Sequence, residues 1–513
     1  MSNSSKRSIL KGTLILTAAG FITRIIGFFY RILLSNSLGA EKMGIYQLVF
    51  PVYSICFTLF ASGIQTSISR LVAAQIGKYG CIDKKNISRI MRVGLTCSLS
   101  IACTLSLLVF FNSDFIAQRL LSEAACGDLL KILALAFPFC GITSCINGYY
   151  YGTKKTGVPA TTQLIEQCVR VIVVLLFASY AGNGDGKITC EIAVLGLVAG
   201  EITSNIFNIL SMVLKKEDAK ACEIRTPRTK HIFRELMKLA VPLTSNRLLI
   251  SILNSVESVM IPIMLRSAGL STSQALSIYG ILTGMAMPFL MFPSAITNSF
   301  SVLLLPTISE AQANENNSMI SKATALTIKY CLMIGILCTG IFITFGDALG
   351  VTIYNNKMAG NFIVILAWLC PFLYLTSTLG SVINGLGKAY ITFVNSIVGL
   401  SIRILFVVFA IPKFGITGYL VGALISQLVI STLDLTAIVK NIKFKANLTD
   451  WVVKPGLITL ALSIVSFELY SRLMITLPFN NAIILFGCVV GFCAVYLIIL
   501  YLAKLFNIKE IKS

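Results

Sequence analysis

Six arginines of this chain, Arg24, Arg31, Arg70, Arg170, Arg247 and Arg403, fall within long apolar stretches. An arginine at the centre of a bilayer costs about 2.5–3.5 kcal/mol on insertion scales, so six facing lipid would cost roughly 15–20 kcal/mol. They are therefore expected to face other helices or a water-filled cavity. Arg24 and Arg31 are seven residues apart and share one helical face. Gly27 lies between them on nearly the same side, which leaves room for a bulky group. Arg70 comes near the end of its stretch, and Arg247 opens a polar face that continues through Ser251, Asn254 and Ser258. Guanidinium forks grip phosphate oxygens in bidentate geometry and stay charged at any working pH. Arg24, Arg31, Arg70 and Arg247 thus suit a pyrophosphate carried into a cavity; the competing reading is snorkelling to an interface or structural pairing. Arg170 follows Glu166 by four residues, a spacing that pairs and neutralises the two.

Acidic and amide side chains form a second set. Glu201, Asn205 and Asn208 make one stripe, Gln427 and Asp434 another, and Glu257 sits beside Asn254. Such acids either bind a proton or Na⁺ and couple a gradient to a conformational change, or they hydrogen-bond between helices. Their spacing leaves both open.

The machinery of a soluble enzyme is missing. The single histidine, His231, has no metal-ligand neighbours, and the 15 cysteines include no CxxC. GNGDGK at 182–187 is followed by Ile188 and GLGK at 385–388 by Ala389, where a P-loop needs Ser or Thr. Both read as turns. No ATP-driven motor and no catalytic constellation is expected, and no cofactor beyond the candidate sodium or proton.

The elements that must position these residues follow from composition. The 513 residues are 56% hydrophobic and 12% charged, with a mean hydropathy of +0.85. Soluble proteins carry about 25% charged residues, so this is an all-α polytopic membrane protein. Apolar runs of about 20 residues, each enough to cross a hydrocarbon core of about 30 Å, recur from residue 12 to residue 506. About fourteen spans are expected. The formal charge of +21 records topology rather than nucleic-acid binding, because cytoplasmic loops collect Lys and Arg. Basic groups at Lys6, Arg7 and Lys11, at Lys78 to Arg92, at Lys215 to Lys238 and at Lys440 to Lys454 are expected to put both termini on the cytoplasmic side of the cell membrane.

The chain also repeats itself. ILALAFP at 132–138 matches ILAWLCP at 365–371, and Arg170 matches Arg403 at the same separation of 233. LGLVAGEITSN at 195–205 resembles TGYLVGALISQ at 417–427. These matches divide the chain into an N-terminal six-helix lobe (1–214), a basic cytoplasmic loop (215–236), a C-terminal six-helix lobe (237–440) and two additional helices with a tail (441–513). An even number of spans per lobe makes the repeats parallel.

Several segments carry a family resemblance. Residues 11–53, KGTLILTAAGFITRIIGFFYRILLSNSLGAEKMGIYQLVFPVY, with SGIQTSISRLVAAQ at 62–75, FPFCGITSCINGYYYG at 137–152 and PTISEAQA at 306–313, resemble the stage V sporulation protein B and polysaccharide-transport family. That family lies in the multidrug/oligosaccharidyl-lipid/polysaccharide exporter superfamily, with the MurJ-type lipid II flippases. The resemblance implies a flippase for an undecaprenyl-pyrophosphate-linked saccharide, such as a peptidoglycan precursor for the spore cortex. It implies a cavity lined by spans 1, 2, 7 and 8, with Arg24 followed by Gly27 in the family manner. Span 8, Gln274 to Leu305, contains no arginine, and Arg247 on span 7 is the candidate in its place. The family's sodium site on spans 7, 11 and 12 makes Asn254, Glu257, Asn395 and Asp434 the candidates here. Membrane lipids and the lipid-linked saccharide are the expected partners, with cell-wall synthesis proteins as candidates through the basic loop. The rival expectation within the superfamily is a multidrug/cation antiporter or an exporter of another lipid-linked polysaccharide unit.

Overall fold

The computed structural model describes residues 3–79, 84–181, 188–214, 229–442, 447–476, 478 and 480–505. The glycine-rich turn at 182–187, most of the basic loop (215–228), and Lys443 and Lys445 lie outside the described residues, as do the side chains of Lys6, Arg7 and Lys11. All regular structure among the described residues is helical, as lipid demands, because an open sheet edge would leave backbone groups unpaired. The principal helices are α1 (Asn3–Leu48), α2 (Phe50–Phe57), α3 (Gly63–Tyr79), α4 (Lys84–Phe111), α5 (Cys126–Ala134), α6 (Phe137–Gly152), α7 (Gly157–Ala181), α8 (Cys190–Leu214) and α9 (Thr229–Ser267). They continue as α10 (Thr272–Gly280), α11 (Ser294–Ala313), α12 (Asn317–Tyr354), α13 (Lys357–Leu366), α14 (Cys370–Gly385), α15 (Ala389–Phe409), α16 (Ile416–Asn441), α17 (Lys454–Thr476) and α18 (Asn481–Leu502).

Twelve stretches are long and apolar enough to cross a membrane, or 13 when the α5–α6 pair, bent by 45°, is one span. The first stretch, Ile15–Gly77, has 63 residues, far more than the roughly 20 that one crossing needs. Gly39, at φ 76°, breaks it; this left-handed backbone is open to glycine at little cost. Division there brings the count to the expected fourteen. The chain forms two compact units, Met1–Ile263 and Met264–Ser513. Most of α9, the seventh span, therefore groups with the first unit.

Inside each unit the same device holds a kinked span. Pro138 opens α6 and Pro371 opens α14, and neither can donate to the carbonyl four residues earlier. In the first unit Ser106 of α4 donates to that carbonyl, Ala134 O, at 2.7 Å. In the second, Thr339 of α12 donates to Ala367 O at 3.0 Å. One turn further on, Asn205 of α8 donates to Phe139 O at 3.1 Å and to the Thr143 hydroxyl at 3.3 Å. Gln427 of α16 does the same to Phe372 O and the Thr376 hydroxyl. These partners fall at the separations of the sequence repeat, so the duplication extends to hydrogen bonds.

Small residues let the following helices close up. Gly196 and Gly200 of α8 lie against the Arg170 and Glu166 carbonyls of α7, the close approach that small residues permit in membranes. In the second unit Gly418 and Gly422 of α16 meet Ala410 and Phe406. Arg403, matched to Arg170 by sequence separation, is not the residue against that glycine pair. The register of α15 on α16 differs from that of α7 on α8, and equal spacing did not carry the arginine to an equal place. Each unit has its own apolar core, around Ile64, Ile68, Met91, Ile146 and Leu236 in the first and Leu304, Ile308, Leu379, Ile383 and Ile438 in the second. The added helices α17 and α18 pack on α12, where Tyr496 donates to Met333 O at 3.1 Å and Phe492 meets Phe345 edge-on.

Candidate functional site

All four phosphate-gripping candidates lie in the first unit: Arg24 and Arg31 on α1, Arg70 on α3 and Arg247 on α9. Arg24, Arg70 and Arg247 are exposed and Arg31 is half-buried. The room expected beside Gly27 is taken. A side-chain carbon there would meet the Gln167 amide of α7 at 3.3 Å, because α1 packs on α7 along this line. The arginines flank this contact, and Arg24 keeps its exposure on the adjoining surface.

Arg247 is fixed in place. Its Nη1 donates to Ser62 O at 2.8 Å and to the Thr66 hydroxyl at 3.3 Å. Ser62 ends a π-helical turn, Thr58–Ser62, between α2 and α3, and such turns mark local distortion of a span. Arg70 is one turn beyond Thr66 on the same helical face, so Arg70 and Arg247 share that surface. Below them α9 is laced to α2: the Ser54 and Ser251 hydroxyls are 2.9 Å apart, and Ser255 donates to Pro51 O at 3.1 Å. Gly63 admits Thr244 of α9 at a separation no larger residue would allow. Thr244, Arg247, Ser251 and Ser255 of α9 thus meet α2 and α3. Asn254 turns its amide back to Ile250 O at 2.9 Å. The hydroxyls of Ser54 and Ser255 were not singled out by sequence, since single serines in a span carry no pattern of their own.

The cation-coupling candidates divide between the units. Asn254 and Glu257, which is 4% exposed, belong to the first unit; Asn395 and Asp434 belong to the second. The structure brings the latter two together: Asn395 Nδ2 donates to Asp434 Oδ1 at 2.7 Å, from α15 to α16. Asp434 is 1% exposed and Asn395 7%. Asp434 Oδ2 is buried with no hydrogen-bond partner among the described residues. A buried carboxylate oxygen left over in this way fits a hard cation or a proton. No group of three or more His, Cys, Asp or Glu side chains that could hold a metal ion occurs among the described residues.

A further feature lies in the second unit. An apolar cavity of about 440 Å³ runs between α17 and α18, lined by Leu462, Val465, Leu469, Ile483, Gly487 and Phe492 among others. Its walls offer almost nothing polar, and glycine at 487 and 491 keeps one side open. Hydropathy marked both helices as spans, but a groove between them depends on where those glycines face.

Comparison with known proteins agrees with this architecture. Residues 9–312 match the sequence model of the family described as polysaccharide biosynthesis protein. Stage V sporulation protein B of Bacillus subtilis (strain 168) is 27% identical over 99% of this chain and 98% of its own length. Lipid II flippase MurJ of the same organism is 24% identical over 77% of this chain and 76% of its own. Among solved structures, lipid II flippase MurJ in an inward closed conformation superposes with a TM-score of 0.69 at 15% identity, covering 94% of this chain and 98% of that one. An inward-facing multidrug resistance MATE family transporter of the MOP superfamily gives 0.65 at 14% identity, covering 84% and 99%. The two structures share the fold with this chain. With the family model spanning more than half of its length, this protein belongs to the polysaccharide biosynthesis protein family.

Proposed function

We propose that this protein is a flippase that moves a saccharide linked to undecaprenyl pyrophosphate across the cytoplasmic membrane by alternating access, with a cell-wall precursor for the spore cortex as its cargo. The observation that carries the reading is the placement of Arg24, Arg31, Arg70 and Arg247 on spans of one unit, three of them exposed. Arg247 uses Nη1 to hold the π-turn of span 2, and the remaining donors of its fork are suited to phosphate oxygens. Arg24 and Arg70 supply charge at different depths of the same unit. Relatives named for sporulation and for lipid II flipping support the cargo class.

In this reading the headgroup is held by guanidinium groups while the hydrocarbon tail stays in the bilayer. Asn395 and Asp434 would hold a sodium ion or proton, whose binding biases one arrangement over the other. Both termini lie on the cytoplasmic side, by the distribution of basic residues. Depletion of the protein during sporulation is expected to lower the amount of precursor accessible at the outer surface, measured by labelling of surface-exposed lipid-linked sugar. Unchanged surface labelling would reject the cortex precursor as cargo. Resistance to cationic dyes on expression, with no change in lipid-linked sugar, would favour the antiporter instead.

A further inference from the structure

Two backbone carbonyls of the π turn in span 2 are capped from neighbouring helices, by different chemistry. Ser98 of α4 donates to Phe60 O at 2.7 Å. Arg247 of α9 donates to Ser62 O at 2.8 Å. A hydroxyl suffices for the first, as the hydroxyls of Ser106 and Thr339 suffice at the proline kinks. A guanidinium brings five N–H groups and a permanent charge, far more than one carbonyl can use. Capping the π turn therefore does not account for an arginine at 247.

The way this arginine is held leaves one particular edge of it for another acceptor. Both of its contacts come from a single nitrogen: Nη1 donates to Ser62 O and, at 3.3 Å, to the Thr66 hydroxyl. The Thr66 hydroxyl itself donates to Ser62 O at 3.0 Å, so the three groups close a ring. One contact would let the flat guanidinium swing about it, whereas two from the same nitrogen fix its orientation. The N–H groups on Nε and Nη2 have no partner among the described residues, and Arg247 is exposed. Nε–H and one Nη2–H lie parallel, and that edge takes two oxygens of one phosphate. Arg70, also exposed, follows Thr66 by four residues and puts a second guanidinium on the same face of α3. Thr66 has no charge of its own to offer an anion, and its effect runs through Arg247.

We propose that Thr66 is a positioning residue: its hydroxyl, with Ser62 O, occupies Nη1 and turns the Nε–Nη2 edge of Arg247 outward to grip one phosphate group of a diphosphate. The ligand class rests on the proposed function. The test measures binding of inorganic pyrophosphate to the full-length protein in lipid nanodiscs by titration calorimetry, with the unfolding midpoint of each variant. Arg247→Ala is expected to weaken binding roughly 10- to 100-fold. Thr66→Val keeps the shape and removes the hydroxyl, and is expected to weaken it about 2- to 10-fold; Thr66→Ser should restore it. In an Arg247→Ala background Thr66→Val should cost nothing further, as for a residue that acts only through Arg247. If Thr66→Val does not fold, Thr66→Ala is read by the same criteria. Wild-type affinity in the hydroxyl-deleted variant, an equal loss with and without Arg247, or no binding by wild type would overturn the assignment. Pyrophosphate binding with this coupling intact, but no flipping of lipid-linked sugar in proteoliposomes, would remove the cargo reading and leave the Thr66–Arg247 grip standing.

Discussion

Arg24 and Asp434 put the account to work at the level of single residues. Arg24 is exposed on α1 with no hydrogen bond or ion pair among the described residues, so its loss should leave stability nearly untouched. If it grips a phosphate, truncation removes charge-assisted hydrogen bonds worth about 1.5–3 kcal/mol, or roughly 10- to 100-fold in apparent affinity. Arg24→Ala is expected to show that loss in binding of a polyprenyl pyrophosphate, with its unfolding midpoint unchanged; Arg24→Lys should recover part of it, lacking the fork. Asp434 makes a different demand. Sodium at about 100 times its dissociation constant should stabilise the native protein by about 2.7 kcal/mol. Wild-type thermal midpoints should rise with sodium, and Asp434→Asn should abolish the rise. A midpoint equally sodium-sensitive in the variant would remove Asp434 from any sodium site. These residues were legible in the sequence because charge inside an apolar run is costly. Whether Gly27 leaves space was not legible, since the filling side chain, Gln167, comes from a helix more than a hundred residues away.

Among elements, the kinked spans are the best test of the physical account. Pro138 and Pro371 each leave a carbonyl that Ser106 or Thr339 covers. Thr339→Val keeps the shape and removes the donor, so it should lower stability by about 1 kcal/mol, the scale of interhelical hydrogen bonds in membranes. Ser106→Ala should do the same in the first unit, and the two losses should add because the sites are independent. Detergent thermal melts of the single and double variants would show this; a neutral double variant would mean that the carbonyls find other partners. The prolines and their separation were visible in the sequence. The hydroxyls were not, because serine and threonine are common in spans and what distinguished these two was a missing donor on a neighbouring helix. Helix register was hidden for a related reason: Arg170 and Arg403 have matching separations, yet only Arg170 flanks its unit's glycine contact.

At the scale of the whole molecule, hydropathy was enough for the number of spans and for the class of protein, because every backbone group in lipid must be paired within helices. The two spans either side of Gly39 were legible in apolar length; the positive φ of the one glycine between them was not. The grouping of α9 with the first unit through Ile263 was likewise beyond the reach of the repeat, since duplication orders helices along the chain without saying which neighbours each prefers. The central claim is that this assembly moves a lipid-linked pyrophosphate saccharide across a bilayer. Proteoliposomes containing the purified protein and a fluorescent undecaprenyl-pyrophosphate saccharide, with dithionite quenching of outer-leaflet label, measure that movement directly. The account predicts quenching beyond the outer-leaflet fraction with wild type, and its reduction by an order of magnitude in the Arg24→Ala, Arg70→Ala double variant. Quenching no greater than in protein-free liposomes, or equal in wild type and double variant, would contradict it.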